Sequence, residues 1–152
     1  MKAAALLAAA LALAAAAGGC GDDEERGFPT ACDDSVPAIR DALAKAPRAV
    51  RLYDGTKLST CVERARTGAD IQTVGALYTA TADALVAAMP RSDAAALRLG
   101  YLVGATHRGA AGTSGLHSEL IRRLENSTGL DGAPPARRAA YRRGYAAGRS
   151  GG

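Results

Sequence analysis

Small residues recur at every fourth position in two stretches of the second half of the chain. A spacing of four places residues on one face of an α-helix. Glycine in a helix interior costs up to about 1 kcal/mol relative to alanine, so something has to offset its presence. Close packing of another helix against the glycine would offset this cost. The alternative is that the helix breaks at the glycine. The two rows are Ala96, Gly100 and Gly104, and Ala140, Gly144 and Gly148.

We expect Gly100 and Gly104 to lie at a helix crossing. Two partners are consistent with the sequence. One is a helix over 71–89, through Gly75 and Thr79, and the other is the terminal helix, through its own glycine row. The composition favours such close packing, because the chain has one Phe, five Tyr and no Trp. Its core must therefore be built from Leu, Val, Ile and Ala.

Apolar residues at spacings of three and four predict an all-α fold, a small bundle of four or five helices. Ser35 and Ser92 are expected N-caps, Thr60 and Glu63 match the capping-box pattern, and Asp70 can cap the helix that carries Ile71 to Met89. The last helix is expected over 136–148. Gly109, Gly112 and Gly115 leave open whether that stretch is helical or a break.

The segment from Ala49 to Ser59 differs from the helical stretches. Two short alternating runs flank Asp54 and Gly55, which is a strong local signal for a β-hairpin. We therefore predict a two-stranded hairpin or, at the least, a tight turn.

The N-terminus carries the pattern of an export signal. Lys2 precedes an unbroken Ala/Leu run over 3–17, small residues follow up to Cys20, and four acidic residues stand at positions 22–25 after Gly21. The run is shorter than the about 20 apolar residues that span a bilayer. The segment resembles the signal peptide and lipobox of bacterial lipoproteins, although Ala17 occupies a position where lipoboxes usually have Leu. The resemblance implies that Cys20 is lipidated; ordinary cleavage with Cys20 as a spare thiol is the alternative.

The resemblance divides the chain into three parts. Residues 1–19 would be the signal peptide, 20–30 a flexible acidic tether, and 31–149 a single helical domain. The protein would be exported and held at the outer face of the cell membrane through its lipid.

Lipidation of Cys20 leaves Cys32 and Cys61 as a pair. An exported protein meets an oxidising compartment, where such a pair forms a disulfide. The two cysteines are 29 positions apart, and a loop of that length corresponds to about 3–4 kcal/mol of stabilisation. A cysteine metal site is disfavoured because there is no CxxC motif and no histidine nearby.

Two segments also resemble exported helical proteins of high-GC actinobacteria. They are LGYLVGATHRGAAGTSGLHSELIRRL, over Leu99–Leu124, and DGTKLSTC, over Asp54–Cys61. This resemblance supports the helical fold and implies no activity.

The sequence offers no catalytic constellation. His107 and His117 are ten positions apart, which on one continuous helix separates them by about 80° and 15 Å. They cannot share a metal on such a helix, and we predict no metal, no cofactor and no catalytic residue. An enzyme that uses either histidine is the least favoured hypothesis, and it would require the two to converge on a cleft with Glu119 or Asp83.

Two residue sets are candidates for binding. The first set is the arginines toward the C-terminus. Such charged residues are usually only solvated surface, but they would also be able to contact phospholipid headgroups, an envelope polymer or an acidic protein partner. Tyrosines would line a small-molecule pocket between helices. The arginines are Arg138, Arg142 and Arg149, and the tyrosines are Tyr78, Tyr101, Tyr141 and Tyr145.

These observations favour a lipid-anchored envelope lipoprotein without catalytic activity, either structural or binding a partner. A small-molecule binder with the tyrosine pocket is the alternative. Nucleic acid is not an expected partner for an exported, membrane-held protein.

Overall fold

The computed structural model describes residues 27–113 and 115–152, so the leader, Cys20 and most of the predicted tether lie outside the described residues. The described part is all-helical, as predicted, but it has six α-helices instead of four or five. Short 3₁₀ turns cover Thr30–Asp33 and Met89–Arg91. The helices are α1 (Val36–Leu43), α2 (Leu58–Arg64), α3 (Gly68–Ala88), α4 (Asp93–Gly109), α5 (Leu116–Asn126) and α6 (Pro135–Gly151). None of these helices is long and apolar enough to cross a membrane.

Side-chain caps fix where three of the helices begin. The hydroxyl of Ser35 accepts a hydrogen bond from the Ala38 amide, and that of Ser92 accepts one from the Ala95 amide, both at 3.3 Å, as predicted. The start of α3 was predicted wrongly. Its N-cap is Thr67, which exchanges two hydrogen bonds of 3.1 Å with Asp70 in a capping box. Asp70 is therefore the third residue of the helix and not its N-cap. Its side chain makes the return hydrogen bond to the N-cap amide that glutamate makes in the usual capping box.

The predicted hairpin is not formed in the part of the chain that the structure describes. Asp54 and Gly55 do make a tight turn, in which the Leu52 amide donates to the Thr56 carbonyl at 2.9 Å. The chain then enters α2 at Leu58, ahead of the predicted start at Thr60, without a side-chain cap. The Val50 amide donates to the Tyr101 hydroxyl at 3.2 Å. A side chain of α4 thus accepts the hydrogen bond that the backbone of a second strand would accept in a hairpin.

The core is organised around α4. This helix contacts α1, α2, α3, α5 and α6, and most of its length is buried. Its largest fully buried side chains are Leu99, Tyr101, Leu102 and Val103. Tyr78 reaches the core from α3 and donates a hydrogen bond of 2.7 Å to the Leu58 carbonyl. Burial raises the pKa of Tyr78, so α2 and α3 are joined through a neutral phenol.

The two glycine rows pack against each other where α4 crosses α6. A Cβ on Gly100 would overlap the Tyr141 carbonyl oxygen, and one on Gly104 would overlap the Tyr145 carbonyl oxygen. From the other side, a Cβ on Gly144 would overlap the Leu97 carbonyl oxygen, and one on Gly148 that of Tyr101. The predicted helix crossing is therefore confirmed. Its partner is the terminal helix, and not α3.

The disulfide between Cys32 and Cys61 is present, as predicted. Their Cα atoms are 5.4 Å apart, and both residues are buried. The bond ties the first 3₁₀ turn to α2.

Candidate functional site

An open groove lies between α3 and α5. Its volume is about 480 Å³, which falls in the range of about 300–1,000 Å³ typical of ligand sites. Small and aliphatic residues of α3 form most of its surface, and two leucines of α5 form the other wall. The lining residues are Gly68, Ile71, Gln72, Gly75, Ala76, Thr79, Ala80 and Asp83 on α3, with Leu116, Glu119, Leu120 and Arg123 on α5.

Many of the α3 residues that face the groove are small. A Cβ built on Gly75 would meet no atom within 4 Å, in contrast to the glycines at the α4–α6 crossing. Leu116, at the first position of α5, is 59% exposed and is one of two large exposed hydrophobic residues in the described chain. Gly75 and Thr79, which the sequence offered as partners for Gly100 and Gly104, thus line the groove.

Glycine turns and His117 hold α5 in position. The stretch that the sequence left open is a break: α4 ends at Gly109, and Gly112 and Gly115 have φ values of 85° and 67°. These left-handed conformations suit glycine. The Nε2 of the buried His117 lies 3.1 Å from the Val62 carbonyl oxygen. Because a carbonyl can only accept, His117 donates here and ties the start of α5 to α2.

Charged residues line both walls of the groove, Asp83 on α3 and Glu119 and Arg123 on α5. Glu119 accepts three hydrogen bonds of 2.8 Å from Arg122 and Arg123. The bonds from Arg122 and then Arg123 lower the pKa of Glu119 to about 2, so this carboxylate is ionised at neutral pH. Asp83 on α3 has no ion pair among the described residues.

His107 lies in a separate cluster with Glu125 and two tyrosines. Its Nε2 is 2.7 Å from Glu125 Oε1, and its ring meets that of Tyr145 edge-on, with centroids 5.5 Å apart. Tyr145 also stacks on Tyr141 at 6.3 Å. Burial, and then the charge of Glu125, raise the pKa of Tyr141. Glu125 gave no sequence signal, because only the packing of α4 against α5 brings it to His107.

The two histidines do not converge on a cleft. His107 pairs with Glu125, whereas His117 bonds to a backbone carbonyl, and neither lines the α3–α5 groove. In the described ranges no group of three His, Cys, Asp or Glu side chains could hold a metal ion.

The four candidate tyrosines separate into two pairs. Tyr78 and Tyr101 are fully buried and hydrogen-bonded to backbone groups. Tyr141 and Tyr145 lie half-buried on α6 and stack on each other. None of the four lines the α3–α5 groove. Glycine, alanine, isoleucine and leucine supply most of the apolar lining of this groove.

The candidate arginines all lie on α6. Arg138, Arg142 and Arg149 are exposed, and they lie on one side of the helix. Arg137 differs from them, because its Nε lies 3.4 Å from Asp93 Oδ1.

No protein-family model, no curated protein and no solved structure matches this chain.

The arrangement is suited to binding. The groove offers a largely apolar surface with charged residues on both of its walls. The sequence did contain a signal for it, namely the recurrence of Gly75, Ala76, Thr79 and Ala80 on one face of α3. That signal cannot distinguish an internal helix crossing from an open groove, because both need small residues at the same spacing.

Proposed function

We propose that this protein is a lipid-anchored, non-catalytic module of the cell envelope that binds an apolar helical segment of a partner protein. The observation that carries the proposal is the open groove between α3 and α5. A helix laid in a groove is a common mode of recognition, with side chains at i, i+3, i+4 and i+7 as the contacts.

The dimensions of the groove favour a helix over a compact ligand. Its lining residues on α3 run from Gly68 to Asp83, which corresponds to about 22 Å along a helix axis. The absence of a side chain at Gly75 allows another backbone to come close, as the glycines of α4 and α6 do at their own crossing. Leu116 and Leu120 would pack on the side of the bound helix, and Asp83 is placed to pair with a basic residue on it.

Filling the groove should weaken this binding. We expect Ala76→Leu with Ala80→Leu to lower partner binding by about 10–100-fold, because overpacking a fitted contact costs about 1–3 kcal/mol. Both alanines are exposed and line the groove. The measurement is photo-crosslinking from a probe at Gln72 in the protein's native membranes.

The matched control is Ala69→Leu with Ala87→Leu. These alanines are also exposed on α3 but do not line the groove, so this variant should retain the adduct. Equal loss, or equal retention, of the crosslinked adduct in both double variants would contradict the proposed site.

The second part of the proposal is the lipid anchor at Cys20. Two or more acyl chains hold a protein stably on a membrane, since each buried CH₂ contributes about 0.8 kcal/mol. We expect Cys20→Ser to release the protein from the membrane or to leave it unprocessed. Labelled palmitate and membrane fractionation measure this directly, and palmitate that is still incorporated in the variant would refute the assignment.

A further inference from the structure

The outer side of α6 carries a line of positive charge, which we call the arginine flank. It consists of Arg138, Arg142 and Arg149, all exposed. Spacings of four and seven residues keep three side chains within about 40° around a helix and about 17 Å along it. Helix α6 contains no acidic residue, so nothing on the helix itself neutralises this line.

Within the described residues, the neighbouring elements form no ion pair with the flank. In the described ranges no carboxylate lies within ion-pair distance of Arg142 or Arg149. Arg138 donates a hydrogen bond to the Ala133 carbonyl, which leaves its charge in place. Arg108 of α4 donates to the Arg149 and Ser150 carbonyls at 3.2 and 2.7 Å. A fourth guanidinium therefore lies beside the end of the flank.

The glycine crossing fixes the direction in which the flank points. Ala140, Gly144 and Gly148 are buried against α4, with backbone atoms in direct contact. Rotation of α6 about its axis would drive Cα and Cβ atoms into the α4 backbone. The arginines are thus presented as one fixed row on the surface of the domain.

We propose that the arginine flank lies on the anionic phospholipid headgroups of the membrane that holds the protein. This inference rests on the lipid anchor of the proposed function. From Cys20 to Gly27, the first described residue, a fully extended chain reaches at most about 25 Å. A domain of this size is about 35 Å across. Because the tether is shorter than the domain is wide, the surface of the domain can reach the bilayer while the lipid stays inserted.

The short tether is what makes the weak attraction of a few arginines effective. Each arginine near an anionic leaflet contributes modestly, and the attraction falls off within a Debye length of about 8 Å. Confinement by the anchor converts this attraction into an intramolecular equilibrium between a docked and an undocked domain. The arginine flank determines which side of the domain faces the bilayer, and the lipid anchor keeps the domain close to it.

The test uses the acylated full-length protein in vesicles and measures docking separately from anchoring. A fluorophore on Ala146→Cys, an exposed position on α6, is quenched by headgroup-labelled lipid only when α6 lies on the bilayer. We expect strong quenching on vesicles that contain phosphatidylglycerol and weak quenching on phosphatidylcholine alone. The anchor holds the protein on both, so loss of anchoring is detected independently by flotation.

The decisive variant is Arg142→Gln with Arg149→Gln. Removing two arginines should lower the docked-to-undocked ratio by about 30-fold on the anionic vesicles. The matched control is Arg40→Gln with Arg66→Gln, two exposed arginines elsewhere, which has the same net charge and should dock normally. Arg138 is left unchanged because it holds the Ala133 loop.

Three results would overturn the proposal. They are equal quenching on the two kinds of vesicle, equal quenching in the two double variants, and quenching that persists in about 0.5 M salt, where the Debye length falls below about 5 Å. If flotation succeeds and no anionic-specific quenching is seen, the flank faces an acidic protein or solvent. This result would support the lipid anchor and would contradict the docked orientation of the domain.

Discussion

Replacing Gly144 by alanine is expected to lower the free energy of unfolding by about 3 kcal/mol or more. A Cβ at this position would overlap the Leu97 carbonyl oxygen and would lie 2.9 Å from the Tyr101 amide nitrogen. Both atoms belong to the α4 backbone, which cannot move aside as a flexible side chain can. Overpacking of this kind costs about 1–3 kcal/mol and sometimes more. Urea denaturation followed by circular dichroism measures the effect.

The matched control is the same substitution at Gly75. Here the Cβ would meet no atom within 4 Å, so alanine should act through helix propensity alone and raise the free energy of unfolding by about 0.5–1 kcal/mol. The two Gly→Ala variants are therefore expected to shift stability in opposite directions. A stabilising Gly144→Ala would show that α6 does not cross α4 as closely as described.

Loss of the disulfide has the second largest expected effect. We expect Cys32→Ala with Cys61→Ala to lower the free energy of unfolding by about 2–5 kcal/mol, because the unfolded chain is no longer cross-linked over 29 residues. The substitution also removes packing, since both cysteines are buried. Urea denaturation with and without reductant measures the difference.

The reductant supplies an internal control. In the wild-type protein it should lower the midpoint toward that of the double variant, and in the double variant it should change nothing. Alkylation of natively exported protein without reductant, followed by intact-mass measurement, tests the bond itself. Two alkylated thiols at Cys32 and Cys61 would contradict the pairing.

The sequence predicted the features that local chemistry determines. Ser35 and Ser92 have the hydroxyl that an N-cap needs, so the starts of α1 and α4 were predicted correctly. The start of α2 was missed because it depends on burial: Leu58 is fully buried and enters the helix without a side-chain cap. Burial of this kind is a property of the assembled fold.

The hairpin prediction was wrong for a related reason. Alternation was present, since Val50 and Leu52 are buried while Arg51 and Tyr53 are exposed. A strand also needs a partner for its backbone groups, and the helical surroundings supply a tyrosine hydroxyl in that place. Periodicity reports which side of a segment is buried, and it does not report what the segment packs against.

The candidate site was predictable only in part. Small residues on α3 were visible in the sequence, but their exposure to an open groove depends on where α5 lies. That position is determined by the turns at Gly112 and Gly115 and by the bond from His117 to Val62. Likewise, His107 could be named as a candidate, whereas Glu125 could not, since the two are joined only across α4 and α5.

The position of α4 at the centre of the bundle has a consequence for the order in which the protein acquires its structure. The glycine-bearing side of α4 is covered by α6, which follows it in the chain after the whole of α5. During synthesis, α4 therefore leaves the ribosome well before the segment that completes its packing. Until then, the side of α4 that carries Gly100 and Gly104 lacks its packing partner, although α1, α2 and α3 can already contact the rest of the helix. The crossing of α4 and α6 can form only once α6 has been made.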